Sequence, residues 1–245
     1  MNYSGIKVLQ QLPDVARLLI IFIPQLIVAG LFLFLAIKLL RRNQQRPTLT
    51  LCMLYILSAS GLIFNAMHVV LAAFQPENEV LLLVIYFLTY FPMLFSPVFI
   101  LTFIISILRL GDVFTIKKQL IITLIYGFLV FIIFFTPNGI TFSEQWRPMF
   151  SWGFLTLVYI SLTVFIVLPT FWYSRRLIKT FKDKILKRKL IIFISGIAGM
   201  IISIYGTVLY ITWQDSLFSS LWSIITTFII IPSAIFIYYG IGREL

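Results

Sequence analysis

Ser60 and His68 are the residues whose types come nearest to a nucleophile and base in this chain. Ser60 lies among small residues, SASG at 58–61, and His68 is the only histidine. On one helix, however, eight residues separate these side chains by about 12 Å along the axis. A nucleophile and its base must approach within about 3 Å. The spacing therefore predicts small-residue helix packing, not catalysis.

The sequence also lacks the residues that other reactions of membrane proteins require. The cores of the apolar runs contain no Asp, Glu, Lys or Arg, whereas ion paths and proton relays usually need such groups. One histidine supplies too few ligands for a zinc hydrolase, and the last run, 217–241, has no lysine for a retinal Schiff base. We therefore expect no enzymatic activity, no catalytic residue, no metal site and no cofactor.

Polar and aromatic side chains nevertheless recur at one depth of the predicted helices, in the half nearer the outer face. Two interpretations fit them. They hydrogen-bond or anchor the helices, as polar groups and aromatic belts do in membranes, or they line a cavity for a neutral small molecule or lipid. The candidate ligand-binding residues are Asn65, His68, Tyr86, Tyr90, Trp152, Tyr159, Tyr205 and Trp222.

The elements that must position these residues follow from composition. Hydrophobic residues make up 61% of the 245-residue chain, well above the roughly 45–50% of soluble domains. A membrane crossing needs about 20 apolar residues as a helix, the form that satisfies its own backbone groups in lipid. Seven runs qualify: 18–40, 48–74, 79–108, 119–136, 150–174, 190–213 and 217–241. They predict an all-α integral membrane protein, a single seven-transmembrane-helix bundle spanning 1–245.

The distribution of basic residues sets the predicted orientation. Lys and Arg accumulate in short cytoplasmic loops, and seven alternating helices place sixteen of the nineteen Lys and Arg on one side. The other three are Lys7, Arg17 and Arg147. The N-terminus is therefore predicted outside and the C-terminus in the cytoplasm, in a multi-pass protein of the cell membrane.

Residues 173–189 hold eight of these cations and a single acid, Asp183. Leu177, Phe181 and Ile185 recur at helical spacing without Pro or Gly, so we predict that helix five continues through them. The cations fit two partners, anionic lipid headgroups or a cytoplasmic signalling protein; nucleic acid is not expected. The predicted contact residues are Arg175, Arg176, Lys179, Lys182, Lys184, Lys187, Arg188 and Lys189.

The last hundred residues carry three segments with a family resemblance. They read WRPMFSWGF (146–154), LKRKLIIFISGIAGM (186–200) and IPSAIFIYYGIGREL (231–245). This half resembles the N-terminal seven-helix sensor region of prokaryotic membrane histidine kinases. The resemblance implies sensing outside or within the membrane, passed to the cytoplasm. Because the sequence stops where a kinase module would begin, output is expected to go through a separate protein.

Three functions therefore remain at the level of sequence. The first is a stand-alone, receptor-like membrane sensor that signals to a cytoplasmic partner. The second is a facilitator for a small neutral solute, favoured by the Pro24-Gln25 pair; PQ pairs occur in small seven-helix transporters. The third is a structural subunit of a larger membrane complex.

Overall fold

The computed structural model describes residues 4–42, 45–74, 77–108, 115–143, 147–181, 183–213 and 215–242. Within these ranges the chain forms nine α-helices, two π-helical segments and one β-hairpin. The helices are α1 (Ser4–Arg42), α2 (Arg46–Phe74), α3 (Glu79–Phe95), α4 (Val98–Ile107), α5 (Ile116–Phe134), α6 (Trp152–Leu162), α7 (Leu168–Thr180), α8 (Lys184–Thr212) and α9 (Ser216–Ile237). The π segments are Thr163–Val167 and Tyr238–Gly242, and the strands are β1 (Ile140–Phe142) and β2 (Pro148–Phe150).

Six described helical stretches are long and apolar enough to cross a membrane. They are Ile23–Arg42, Arg46–Ala72, Glu79–Ile107, Ile116–Phe134, Trp152–Thr180 and Lys184–Thr212. The protein is therefore a predominantly α-helical, multi-pass membrane bundle, which confirms the fold class at that level. The helix formed by α9 and its π segment carries a shorter apolar stretch, Ile224–Gly240.

Proline interrupts the third membrane helix between α3 and α4. Pro97 has no N–H, so the carbonyl of Met93, four residues earlier, loses its helical donor. The Ser96 hydroxyl donates to that carbonyl instead, at 3.3 Å, and the Ser58 hydroxyl of α2 donates to Ser96 at 3.4 Å. The break is thus closed by side chains, as lipid surroundings require.

A second proline widens the fifth membrane helix. Pro169, at the start of α7, clashes with the carbonyl of Phe165 in a regular α-helix. The turn Thr163–Val167 just before it is π-helical, and the Leu168 N–H donates five residues back to the Thr163 carbonyl. The wider turn accommodates the ring, so α6 and α7 form one membrane helix that contains a π-bulge.

The buried side chains form two clusters, one towards each end of the bundle. One includes Leu39, Leu51, Leu177, Leu190 and Tyr238. It lies where α1 ends, α2 begins, α7 meets α8 and α9 ends, and we call this the basic end. The other cluster joins the start of α3, the hairpin, the start of α6 and the last turns of α8, and we call that end the hairpin end.

The β-hairpin is a feature that the all-α prediction missed. Its entry is a turn in which the Gly139 N–H donates to the Thr136 carbonyl at 2.9 Å. Pro137 fixes the second position of this turn, and Asn138 takes φ 53° at the third, a conformation that Asn tolerates better than most residues. The strands then pair antiparallel, with Ile140 opposite Phe150.

The connection between helices five and six differs from its prediction. Helix five does continue beyond Arg176, but α7 ends at Thr180 and α8 begins at Lys184. The Asp183 carboxylate caps α8 by accepting the Ile185 N–H at 2.9 Å. The expected single stripe is therefore wrong: Leu177 is buried in the bundle, whereas Ile185 is exposed on the next helix. Asp183, a favoured N-cap residue, was the signal in the sequence.

Candidate functional site

His68, Tyr86 and Tyr90 form a buried aromatic and polar cluster at the hairpin end. The helix α2 supplies His68 in its last turns, and α3 supplies the two tyrosines one turn apart. The His68 and Tyr86 ring centroids lie 6.0 Å apart in an edge contact, and those of Tyr86 and Tyr90 lie 4.8 Å apart. All three side chains are buried. The structure thus brings these three predicted site residues together.

The hairpin covers this cluster with two phenylalanines. The ring of Phe142, from β1, meets Tyr86 edge to face at 5.0 Å. The ring of Phe150, from β2, meets Tyr90 edge to face at 5.6 Å. Such contacts add roughly 0.5–1.5 kcal/mol each to simple burial. The hairpin is therefore packed onto the cluster.

Two polar atoms inside the cluster lack a hydrogen-bond partner. They are Nε2 of His68 and the hydroxyl of Tyr86, both buried, and neither pairs with any residue that the structure describes. Leaving such a group unpaired costs roughly 1–3 kcal/mol. A small polar guest or ordered water would satisfy them.

Asn65 lies one turn before His68 but faces a different helix. Its side-chain amide donates to the Gln25 side chain of α1 at 2.9 Å. The hydrogen bond joins α1 to α2 across the apolar interior, where such pairs stabilise helix association by roughly 0.6–2 kcal/mol. Asn65 is thus a structural partner of Gln25 in this arrangement and is not joined to the His68 cluster.

Tyr159 and Tyr205 pair with one another instead of with the cluster. The Tyr159 hydroxyl donates to the Tyr205 backbone carbonyl at 2.7 Å. The Tyr205 hydroxyl bonds to that of Thr163, the first residue of the π segment. These contacts hold α6 and its π-bulge against α8. They also give both tyrosine hydroxyls a hydrogen-bond partner inside the protein.

The two tryptophans of the predicted site lie apart. Trp152 opens α6 with its side chain exposed, as expected of an aromatic residue at a membrane interface. Trp222 of α9 packs so closely on Gly206 of α8 that an added Cβ there would overlap the indole ring. The indole N–H is buried and unpartnered among the described residues.

Two cavities lie elsewhere in the bundle. One, lined by residues such as Leu94, Tyr126 and Ser161, holds about 10 Å³, which is room for at most one water molecule. The other is a groove at the basic end. Neither is lined by any of the eight predicted outer-site residues.

The predicted basic contact residues occupy two helices and differ in exposure. Arg175, Arg176 and Lys179 are exposed on α7, and Lys184, Lys187 and Arg188 are exposed on the first turns of α8. Lys189 is half-buried and interacts with a neighbour. Lys182 lies outside the described residues. The Arg175 guanidinium lies 4.4 Å from the Phe171 ring centroid and packs on that ring. The other five exposed cations are therefore the more accessible part of this basic surface.

Comparisons with known proteins do not assign this chain to a family. Neither a scan of protein-family models nor searches of curated proteins and solved structures found a match to this chain. No group of three or more possible metal-binding side chains forms within the described residues.

Sequence reasoning missed Phe142 and Phe150 as site residues because it did not predict the hairpin. Pro137-Asn138-Gly139 was the available signal, since these residues favour a turn. It also missed Gln25 as the partner of Asn65. Asn65 and Gln25 both carry side-chain amides in otherwise apolar helices. Two such amides at similar depth indicate a hydrogen bond between their helices.

Proposed function

We propose that this protein is a receptor-like sensor of the cell membrane. It crosses the bilayer seven times, with its N-terminus outside and its C-terminus in the cytoplasm. The hairpin end then faces outward, and the basic end faces the cytoplasm. The sixteen-to-three distribution of Lys and Arg supports this orientation.

The observation that carries the proposal is the pair of unpartnered polar atoms, His68 Nε2 and the Tyr86 hydroxyl, beneath an aromatic hairpin. A neutral small molecule or lipid with hydrogen-bonding groups relieves their desolvation cost, and the surrounding rings bind its apolar part. The signal molecule enters when the hairpin lifts Phe142 and Phe150 from the two tyrosines.

The hairpin is directly connected to the helix that runs to the basic end. Ser151 follows β2 and caps α6, accepting the Phe154 N–H at 3.1 Å. The same helix continues through the π-bulge to Thr180. Displacement of the hairpin would therefore move α6, and the π-bulge is the point at which α6 and α7 adjust relative to each other. The exposed Lys184, Lys187 and Arg188 form the contact for a cytoplasmic signalling protein.

Tyr86→Phe tests the ligand site because it removes one unpartnered hydroxyl with little change in shape. Tyr126→Phe is the matched control, since the buried Tyr126 hydroxyl donates to the Leu94 carbonyl at 3.0 Å. In mild detergent, mass spectrometry should detect a co-purifying small molecule in the wild type and in Tyr126→Phe. Its occupancy should fall about tenfold in Tyr86→Phe, as expected for a lost hydrogen bond in a buried site.

Signal transfer is tested with a single fluorescent label at Lys187→Cys, in a chain whose buried Cys52 is replaced by alanine. Adding the identified ligand should change the fluorescence, and Tyr86→Phe should abolish that response. Equal occupancy in both tyrosine variants would overturn the ligand site. Binding without a response, together with ligand flux into liposomes, would replace the sensor by a facilitator.

A further inference from the structure

A groove of about 540 Å³ opens at the basic end, far from the His68 cluster. Lys38, Arg41 and Arg42, from the end of α1, line one part, and Tyr238 and Tyr239, from the last π segment, line the other. Its volume falls within the roughly 300–1,000 Å³ of small-molecule sites. The groove is therefore large enough for a polar headgroup rather than for single waters.

The charge of the groove favours an anion. Lys38, Arg41 and Arg42 have i, i+3 and i+4 spacing, which places them on one face of α1. Among the residues that the structure describes, none that lines the groove is acidic, and none of these three cations is paired with a carboxylate. Two adjacent guanidinium groups match the oxygens of a phosphate, which they bind through paired hydrogen bonds.

Lys38 links this cationic surface to an apolar one. Its ammonium lies 5.0 Å from the Tyr238 ring centroid and 5.6 Å from that of Phe34. Phe34 lies one helical turn farther into the membrane-spanning part of α1, and its side chain is 58% exposed. A ligand with both an anionic group and a hydrocarbon chain would match the two surfaces at once.

We propose that this groove binds the headgroup of an anionic phospholipid of the phosphatidylglycerol type. The phosphate accepts hydrogen bonds from Arg41 and Arg42, the Lys38 ammonium adds a third positive charge, and an acyl chain lies along Phe34. Tyr238 and Tyr239 border the headgroup. Binding there joins the ends of α1 and α9. The site does not depend on whether the protein signals.

The test compares two triple variants of the full chain in nanodiscs that contain phosphatidylglycerol and phosphatidylcholine. Lys38→Gln/Arg41→Gln/Arg42→Gln removes the cations of the groove. Lys184→Gln/Lys187→Gln/Arg188→Gln removes the same charge from exposed positions on α8. After extraction into a neutral detergent, native mass spectrometry counts the retained lipids. Retention of phosphatidylglycerol should fall about tenfold or more in the groove variant and less than about twofold in the other.

Arg41→Lys/Arg42→Lys keeps the charge that orients the first helix and removes the paired guanidinium contacts, so retention should fall about threefold or more in a correctly inserted protein. Equal losses in the two triple variants would show general attraction to the bilayer surface and overturn a discrete site. Equal retention of phosphatidylcholine by the wild type would also overturn it. If inorganic phosphate binds the wild type in detergent but phosphatidylglycerol is not retained, the groove binds a soluble phosphate compound and the lipid assignment is wrong.

Discussion

Gly196 of α8 shows how closely two membrane helices approach in this bundle. A Cβ added there would lie 2.6 Å from the Ser233 carbonyl oxygen and 2.8 Å from the Ile237 nitrogen, both backbone atoms of α9. Gly240 has a similar relation to α8, since its added Cβ would lie 2.6 Å from the Phe193 nitrogen. Small residues at membrane-helix interfaces let the backbones approach this closely, so we infer that α8 and α9 act as one packed pair.

Gly196→Ala should destabilise the protein, because the methyl group must push two backbones apart. The cost of such overpacking is roughly 1–3 kcal/mol. Gly30→Ala in α1 is the matched control: an added Cβ there meets nothing within 4 Å. Thermal unfolding in detergent should show a lower midpoint for Gly196→Ala and no decrease for Gly30→Ala. Equal midpoints in the two variants would mean that α8 and α9 are not packed through this glycine.

At the scale of the element, two proline breaks in the membrane helices are closed locally, one by a serine hydroxyl and one by a wider helical turn. The break at Pro97 frees the Met93 carbonyl, and the Ser96 hydroxyl binds it. The break at Pro169 is absorbed by a π turn whose first residue, Thr163, is bonded to Tyr205. Each irregularity is thus closed within the protein, which explains how kinked helices persist where lipid offers no hydrogen bonds.

Ser96→Ala should lower stability by about 0.5–1.5 kcal/mol, since it leaves the Met93 carbonyl without a donor. In a Pro97→Ala background the restored N–H can reach that carbonyl, so the same serine substitution should cost almost nothing. Thr207→Val is the control, because the Thr207 hydroxyl donates to the Ser203 carbonyl at 2.7 Å inside α8, a helix without proline. Thermal midpoints of the four Ser96/Pro97 combinations measure the coupling. Additive effects would refute the compensation.

At the scale of the whole molecule, the two ends of the bundle differ in chemistry. The hairpin end is closed by aromatic rings over a polar pair, whereas the basic end presents exposed cations on α1, α7 and α8 and an open groove. A protein that binds a neutral ligand at one end and contacts anionic lipid or protein at the other would need this difference between its ends. It also makes orientation a testable property of the molecule.

Reporter fusions should locate the connections after Gln45, Thr115 and Phe181 in the cytoplasm, together with the C-terminus. Fusions at the N-terminus and after Glu77, Ser143 and Asp215 should be external. The physical reason is the retention of Lys and Arg on the cytoplasmic side during insertion. A phosphatase reporter, active only outside, and a fluorescent one, active only inside, give complementary signals. A cytoplasmic N-terminus would contradict both the seven-span proposal and the outward hairpin.

The sequence by itself determined that this chain forms long membrane helices, because apolar runs of this length can satisfy their backbone groups in lipid only as helices. It also placed His68, Tyr86 and Tyr90 at similar depth, since helix rise converts position into depth.

Only the tertiary structure decided which side chains meet. Lipid and protein interior are equally apolar, so a membrane helix carries little record of which face is buried. For that reason the sequence did not show that Asn65 hydrogen-bonds to Gln25, that Leu177 is buried in the core or that Trp152 is exposed. The groove of Lys38 and Tyr238 depends on two helix ends separated by about 200 residues, and the hairpin depends on strands too short to predict from their residues alone.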